Sequence, residues 1–95
     1  MLEVKVHFLS LLIDITEVEQ IKLLIADNSN IRNLLDQLAE NFGAKFEEII
    51  FKTSHDLNKY VIITINGKDI KLLEGLETII QTNDEIIFIP AIAGG

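Results

Sequence analysis

Few residues in this chain could do chemistry, and the most unusual pair stands at its end, where the stretch "IPAIAGG" carries Ile89 on to Gly94 and Gly95. Inside a chain, glycine serves turns that other residues cannot make. Here no element follows for a turn to enter. A carboxylate on Gly95, held on an extended stalk without side chains, could thread a narrow channel and reach a reactive centre inside another protein. Gly95 and Gly94 are therefore the candidate reacting group. The side chains offer less. His7 falls in a strand-like run and His55 in a polar stretch, neither with a carboxylate at ligand spacing, so both are expected to be solvated and no metal site is expected. Ser10, Ser29 and Ser54 lack a nucleophile motif, Asp84 and Glu85 suit a turn, and the isolated glycines form no phosphate loop. Without cysteine, disulfides, thiolate metal sites and thiol nucleophiles are excluded. No bound cofactor and no catalytic side chain are expected.

The elements that must carry this tail are read from periodicity. Leu2, Val4, Val6 and Phe8 alternate with Glu3, Lys5, His7 and Leu9, which predicts a half-buried strand. A second follows in "VEQIKLLIAD", with Ile21, Leu23 and Ile25 on one face and Gln20, Lys22 and Leu24 on the other. The link around Asp14 to Glu17 is short enough for a hairpin. Ile31, Leu34, Leu35, Leu38, Ala39 and Phe42 then draw one apolar stripe down a helix, with Ser29 or Asn30 as its N-cap and Gly43 at its end. "KFEEIIFK" predicts a second short helix, "TSHDLNK" a polar loop, and "YVIITI" a third strand closed by the Asn66-Gly67 turn. "LLEGLETII" is irregular, and "NDEIIFIP" is the last strand, where Pro90 is expected to end sheet pairing.

This order predicts an α+β fold, a β-grasp (ubiquitin-like) roll: a mixed sheet with one main helix packed across one face. The crossover through the helix should bring the third strand back in parallel. The domain is expected over 1–90, with 91–95 as an extended Gly-Gly tail. If the alternation holds, Ile86 and Phe88 face the helix while Ile87 and Ile89 face outward, joined by Leu9, Leu24 and Ile62. An uncovered apolar row of this kind marks a binding surface, so these residues, with Pro90 and Ile92 near the tail, are the predicted partner-binding set.

Ninety-five residues suit a single domain. A net charge of −7, with the Lys and Arg residues scattered, argues against nucleic acid and would suit a basic protein partner. The charged N-terminal run argues against a signal peptide or membrane span, and a cytoplasmic setting is expected.

On "VKVHF", "IRNLLDQLAENF", "VIITINGKDI", "NDEIIFIP" and the terminal "AGG", the chain resembles the MoaD/ThiS family of ubiquitin-like sulfur carriers over essentially its whole length, and within it the molybdopterin synthase small subunits. It departs from the family pattern in "LSLLIDITEVE", which lacks the basic residue and the glycine common after the first strand. The resemblance implies a two-step chemistry. A ubiquitin-activating-like adenylating enzyme would use ATP to adenylate the Gly95 carboxylate, and a sulfur donor would convert it to a thiocarboxylate. The tail would then enter the molybdopterin synthase large subunit, in a heterotetramer, and give up its sulfur for the dithiolene. Two further roles are compatible with the same tail: a sulfur carrier of the thiazole (thiamin) branch, and a protein modifier joined through Gly95 to lysines of target proteins.

Overall fold

In the computed structural model, residues 1–53 and 56–90 are described. Strand β1 (Leu2–Phe8) buries Val4, Val6 and Phe8 and leaves Glu3 and Lys5 in solvent, as its alternation requires. It pairs antiparallel with β2 (Gln20–Ile25), in a register running from Leu2 opposite Ile25 to His7 opposite Gln20.

The link between them is no tight hairpin. It contains helix α1 (Leu11–Thr16), which turns Leu12 fully into the core and Thr16 nearly so. Six residues make less than two helical turns, too few to draw a periodic stripe in the sequence.

Helix α2 (Ile31–Phe42) buries Ile31, Leu34, Leu35 and Leu38 against the sheet. Asn30, rather than Ser29, caps it. The Asn30 side chain accepts from the Asn33 N–H at 2.8 Å, and the Asn33 side chain accepts from the Asn30 N–H at 3.0 Å, so two orphan donors are satisfied reciprocally. Gly43 ends α2 at φ 85°, ψ −166°, a conformation costly for any residue with a Cβ, and α3 (Ala44–Ile50) begins at once, burying Phe46 and Ile50.

Strand β3 (Val61–Ile65) turns through Asn66 (φ 51°) and Gly67 (φ 86°) into the short β4 (Lys68–Asp69). Two positive φ values in succession identify a type I′ turn, whose twist matches that of the strands it joins. A 3₁₀ turn, Ile70–Leu72, follows, and the stretch that the sequence leaves irregular forms a second, Gly75–Glu77. Asp84 then fixes the entry to β5 (Glu85–Pro90): one carboxylate oxygen accepts from the Asn66 amide at 2.8 Å and the other from the Gln81 N–H at 2.7 Å. Asn83 takes a positive φ of 64°, as an asparagine there can.

The sheet order is β2-β1-β5-β3-β4. β3 does run in the direction of β2, but the two are not neighbours; the parallel pairing is between β1 and β5, and β3 lies antiparallel beyond β5. This is a mixed sheet with α2 across one face, the β-grasp arrangement. Phe8 and Phe88, opposite each other on β1 and β5, meet Phe42 of α2 and Phe46 of α3 with ring centroids 5.6–6.1 Å apart. This aromatic cluster fixes the end of β5 that leads to the tail.

Candidate docking face at the root of the tail

Because β5 alternates, burying Ile86 and Phe88 under the helices turns Ile87 and Ile89 to the opposite, outer face. The register says what stands beside them. Ile62 of β3 lies directly across from Ile89, and His7 of β1 beside Ile87. The Leu9 N–H donates to the Phe88 carbonyl at 3.3 Å, continuing the β1–β5 ladder and bringing Leu9 level with Ile89. Leu9, Ile89 and Ile62 therefore form one row across the sheet at the end where the chain leaves β5. Ile62, Ile87 and Ile89 are half-buried and Leu9 is 42% exposed.

Leu24 points to the same face but belongs elsewhere. It pairs with Glu3, three cross-strand rows from Leu9, and at two residues per row that is about 20 Å along the strands. It is 54% exposed and stands apart from the apolar row.

Pro90 behaves differently from expectation. It is buried and still pairs with Val61 of β3, so sheet pairing does not end there on that side. It does end on the other. In a parallel ladder continued from Phe88, the next donor to the Leu9 carbonyl would be the N–H of residue 90, which proline lacks. The Leu9 carbonyl accepts instead from the Leu12 N–H at 3.2 Å, starting α1. Pro90 thus separates the chain from β1 while β3 still holds it.

The other candidates are structural. Ser29 is buried and donates to the Ala26 carbonyl at 2.7 Å. His7 Nε2 meets a Glu85 carboxylate oxygen at 3.2 Å on the outer face. His55, Ser54, Ile92, Gly94 and Gly95 lie outside the described residues. Among the described residues no group of three or more His, Asp or Glu could hold a metal, and no helix is long and apolar enough to cross a membrane. A surface cleft of about 310 Å³ lies on the helix side, lined by Ala44, Glu47, Glu48, Phe51, Lys52 and Thr53, and takes no part in the outer face.

The sequence pattern alone does not single out Tyr60. It precedes Ile62 by two, is 43% exposed, and carries the Lys59 ammonium 5.2 Å from its ring centroid. An aromatic just ahead of a β-branched run was the available signal.

The profile of the ThiS family matches residues 6–95, a span that takes in both terminal glycines as well as the fold. The chain belongs to the ThiS family. A protein of Archaeoglobus fulgidus described as a sulfur carrier is 31% identical to this ThiS-family chain over 70 residues, 74% of this chain and 78% of the relative. The solution structure of small archaeal modifier protein 1 from Methanosarcina acetivorans is similar with a TM-score of 0.86 at 29% identity, covering 100% of this chain and 98% of that one. A Pyrococcus furiosus protein described as a molybdopterin converting factor subunit 1, TM-score 0.79 and 18% identical over 97% of this chain and 100% of its own, shares the fold.

Proposed function

We propose that this ThiS-family chain acts in the cytoplasm as a sulfur carrier whose reacting group is the Gly95 carboxylate. Adenylation by a ubiquitin-activating-like enzyme converts the carboxylate and ATP to an acyl adenylate and pyrophosphate. A hydrosulfide equivalent attacks the acyl carbon, AMP leaves with the bonding electron pair, and the carboxylate becomes a thiocarboxylate. Gly94 and Gly95 bring no side chain into the channel through which the tail must pass. The recipient in this reading is a molybdopterin precursor held by the large subunit of molybdopterin synthase, with the outer row of Leu9, Ile62, Ile87 and Ile89 as the docking surface.

The observation carrying the reading is that the family match runs through Gly95 while β5, the strand leading to it, shows a half-buried isoleucine row on its outer face. Incubation with an adenylating enzyme, ATP and sulfide, followed by intact mass measurement, tests it. One oxygen should be exchanged for one sulfur, and deletion of Gly95 should abolish the exchange without changing thermal unfolding, since a tail beyond the core contributes little stability. An unchanged mass with an enzyme shown to be active would reject the carrier role. Sulfur transfer to a pterin precursor by the large subunit then tests the recipient.

A second reading, a protein modifier conjugated through Gly95 to lysines, is favoured by the likeness to small archaeal modifier protein 1. It shares the adenylation step, and conjugates in lysate distinguish it, because a pure carrier leaves none.

A further inference from the structure

The acidic charge of the molecule is not where the proposed docking takes place. The outer sheet face presents Glu3, Lys5, Lys22, Asp69 and Glu85, one negative unit net, so six of the seven net negative charges lie elsewhere. Asp36, Glu40, Glu47 and Glu48 gather on α2 and α3.

Within the outer face, Lys5 and Lys22 stand directly opposite each other across β1 and β2. The Phe8 N–H donates to the Glu19 carbonyl at 2.8 Å, whereas the Lys5 N–H turns the other way, to the Asp84 carbonyl at 3.0 Å. Lys5 and Lys22 are therefore a non-hydrogen-bonded pair, the kind with the closest side chains, about 4.5–5.5 Å between Cβ atoms. Like charges so placed repel. The carboxylate that could relieve them, Glu85 beside Lys5 on β5, meets His7 instead, and among the described residues neither lysine makes an ion pair. The row next to this pair, toward the tail, holds His7 and Ile87.

We infer that Lys5 and Lys22 receive a carboxylate side chain of the adenylating enzyme that docks on the outer face. The inference rests on the docking reading above, extends it from the large subunit to the adenylating enzyme that must handle the same tail first, and adds the chemistry of that partner: an apolar surface for Leu9, Ile62 and Ile89, with an Asp or Glu about two rows away, over the lysine pair. The molecule as a whole invites a basic partner, but the face that docks selects an acidic group. Charge complementarity carries this, because two uncompensated cations facing each other in an otherwise acidic protein are stabilised by an anion brought from outside.

The experiment is ATP–pyrophosphate exchange by a ubiquitin-activating-like enzyme that turns over the unaltered full chain, with thermal unfolding measured alongside. Lys22→Glu should raise KM for the chain about fivefold or more with kcat unchanged, and Lys22→Gln should raise it less. The same Lys22→Glu change replaces repulsion with an opposite-charge pair, so its unfolding temperature should be equal or higher. Opposite signs in the two readouts separate lost docking from damaged folding. Glu47→Lys, on the helix side, should leave KM unchanged. An unchanged KM for Lys22→Glu, with KM raised by Ile89→Asp, overturns the lysine inference and leaves the docking reading standing. Unchanged KM for both variants overturns docking of the adenylating enzyme on this face, and with it the lysine inference. A lowered unfolding temperature for Lys22→Glu overturns the premise that the lysines repel.

Discussion

Ile86 and Phe88 face one way on β5 and Ile87 and Ile89 the other, and neighbouring residues of one strand thereby take different work. The inward pair is fully buried, and Phe88 closes the aromatic cluster with Phe8 and Phe46. The outward pair is only half-buried, although isoleucine is no less apolar than its neighbours. Strand parity thus lets a single six-residue strand stabilise the fold and present a surface, without one task restricting the other.

The sharpest way to break that division is to cut the inward side. Phe88→Ala should cost about 3–5 kcal/mol through lost transfer energy and the cavity left among the rings, a large part of the roughly 5–15 kcal/mol available to a domain. Chemical denaturation would register it. A loss below about 1 kcal/mol would mean that the cluster collapses freely and is not what fixes β5.

Ile89→Asp attacks the outward side and should invert the pattern. Docking should weaken by about 2 kcal/mol or more, as for a central interface anchor, while stability falls by about 1 kcal/mol, the span of strand preferences at a half-buried position. Titration of the variant against the large subunit or the adenylating enzyme measures the first, and thermal unfolding the second. Equal damage to both would show that parity does not divide the two tasks.

Asp84→Ala tests the hinge between them. Its carboxylate ties the Asn66 turn to Gln81 just before β5 begins, and it is nearly buried. Removing it leaves the Asn66 amide and the Gln81 N–H without their acceptor, a loss of about 1–3 kcal/mol. Asp84→Asn, which keeps an acceptor, should recover part of it in the same unfolding assay. No recovery would show that the turn needs both acceptor oxygens at once, since the amide of an asparagine would set a donor against one of the two N–H groups.

Which parts of this were legible beforehand follows from the distance over which each signal acts. The α2 stripe and the alternation on β1, β2 and β5 are local periodicities, and the sequence shows them directly. α1 was hidden because a run of six residues has no period to show. The place of Leu24 was hidden for another reason. Alternation assigns a face but not a row, and only pairing with Glu3 reveals that Leu24 lies far from Leu9. The Lys5–Lys22 opposition needs the same register. Pro90 was half legible: its missing N–H could be read, but which neighbour would miss it could not.

Ser10 was legible only as an absence, since no glycine stands in the stretch after the first strand. It stands at φ 57°, ψ −134°, in the turn closed by the Leu9 carbonyl and the Leu12 N–H, the first central place of a II′-like turn that glycine prefers. Its side chain makes no capping hydrogen bond in return. Two terms oppose each other in Ser10→Gly. Relief of strain at such a conformation is worth about 1–3 kcal/mol, whereas glycine's greater freedom in the unfolded chain costs about 0.5–1 kcal/mol. The first is larger, so a net gain of about 1 kcal/mol is expected, raising the unfolding temperature by about 4–8 °C in a domain of this size. Ser10→Ala keeps the Cβ and should change little, which separates strain from any effect of the hydroxyl. A lower unfolding temperature for Ser10→Gly would remove the strain argument. The change leaves Leu9, Ile62 and Ile89 in place beside the turn, so an unaltered docking affinity with higher stability would sharpen the comparison: the turn belongs to the folding side of the division, though it borders the docking row.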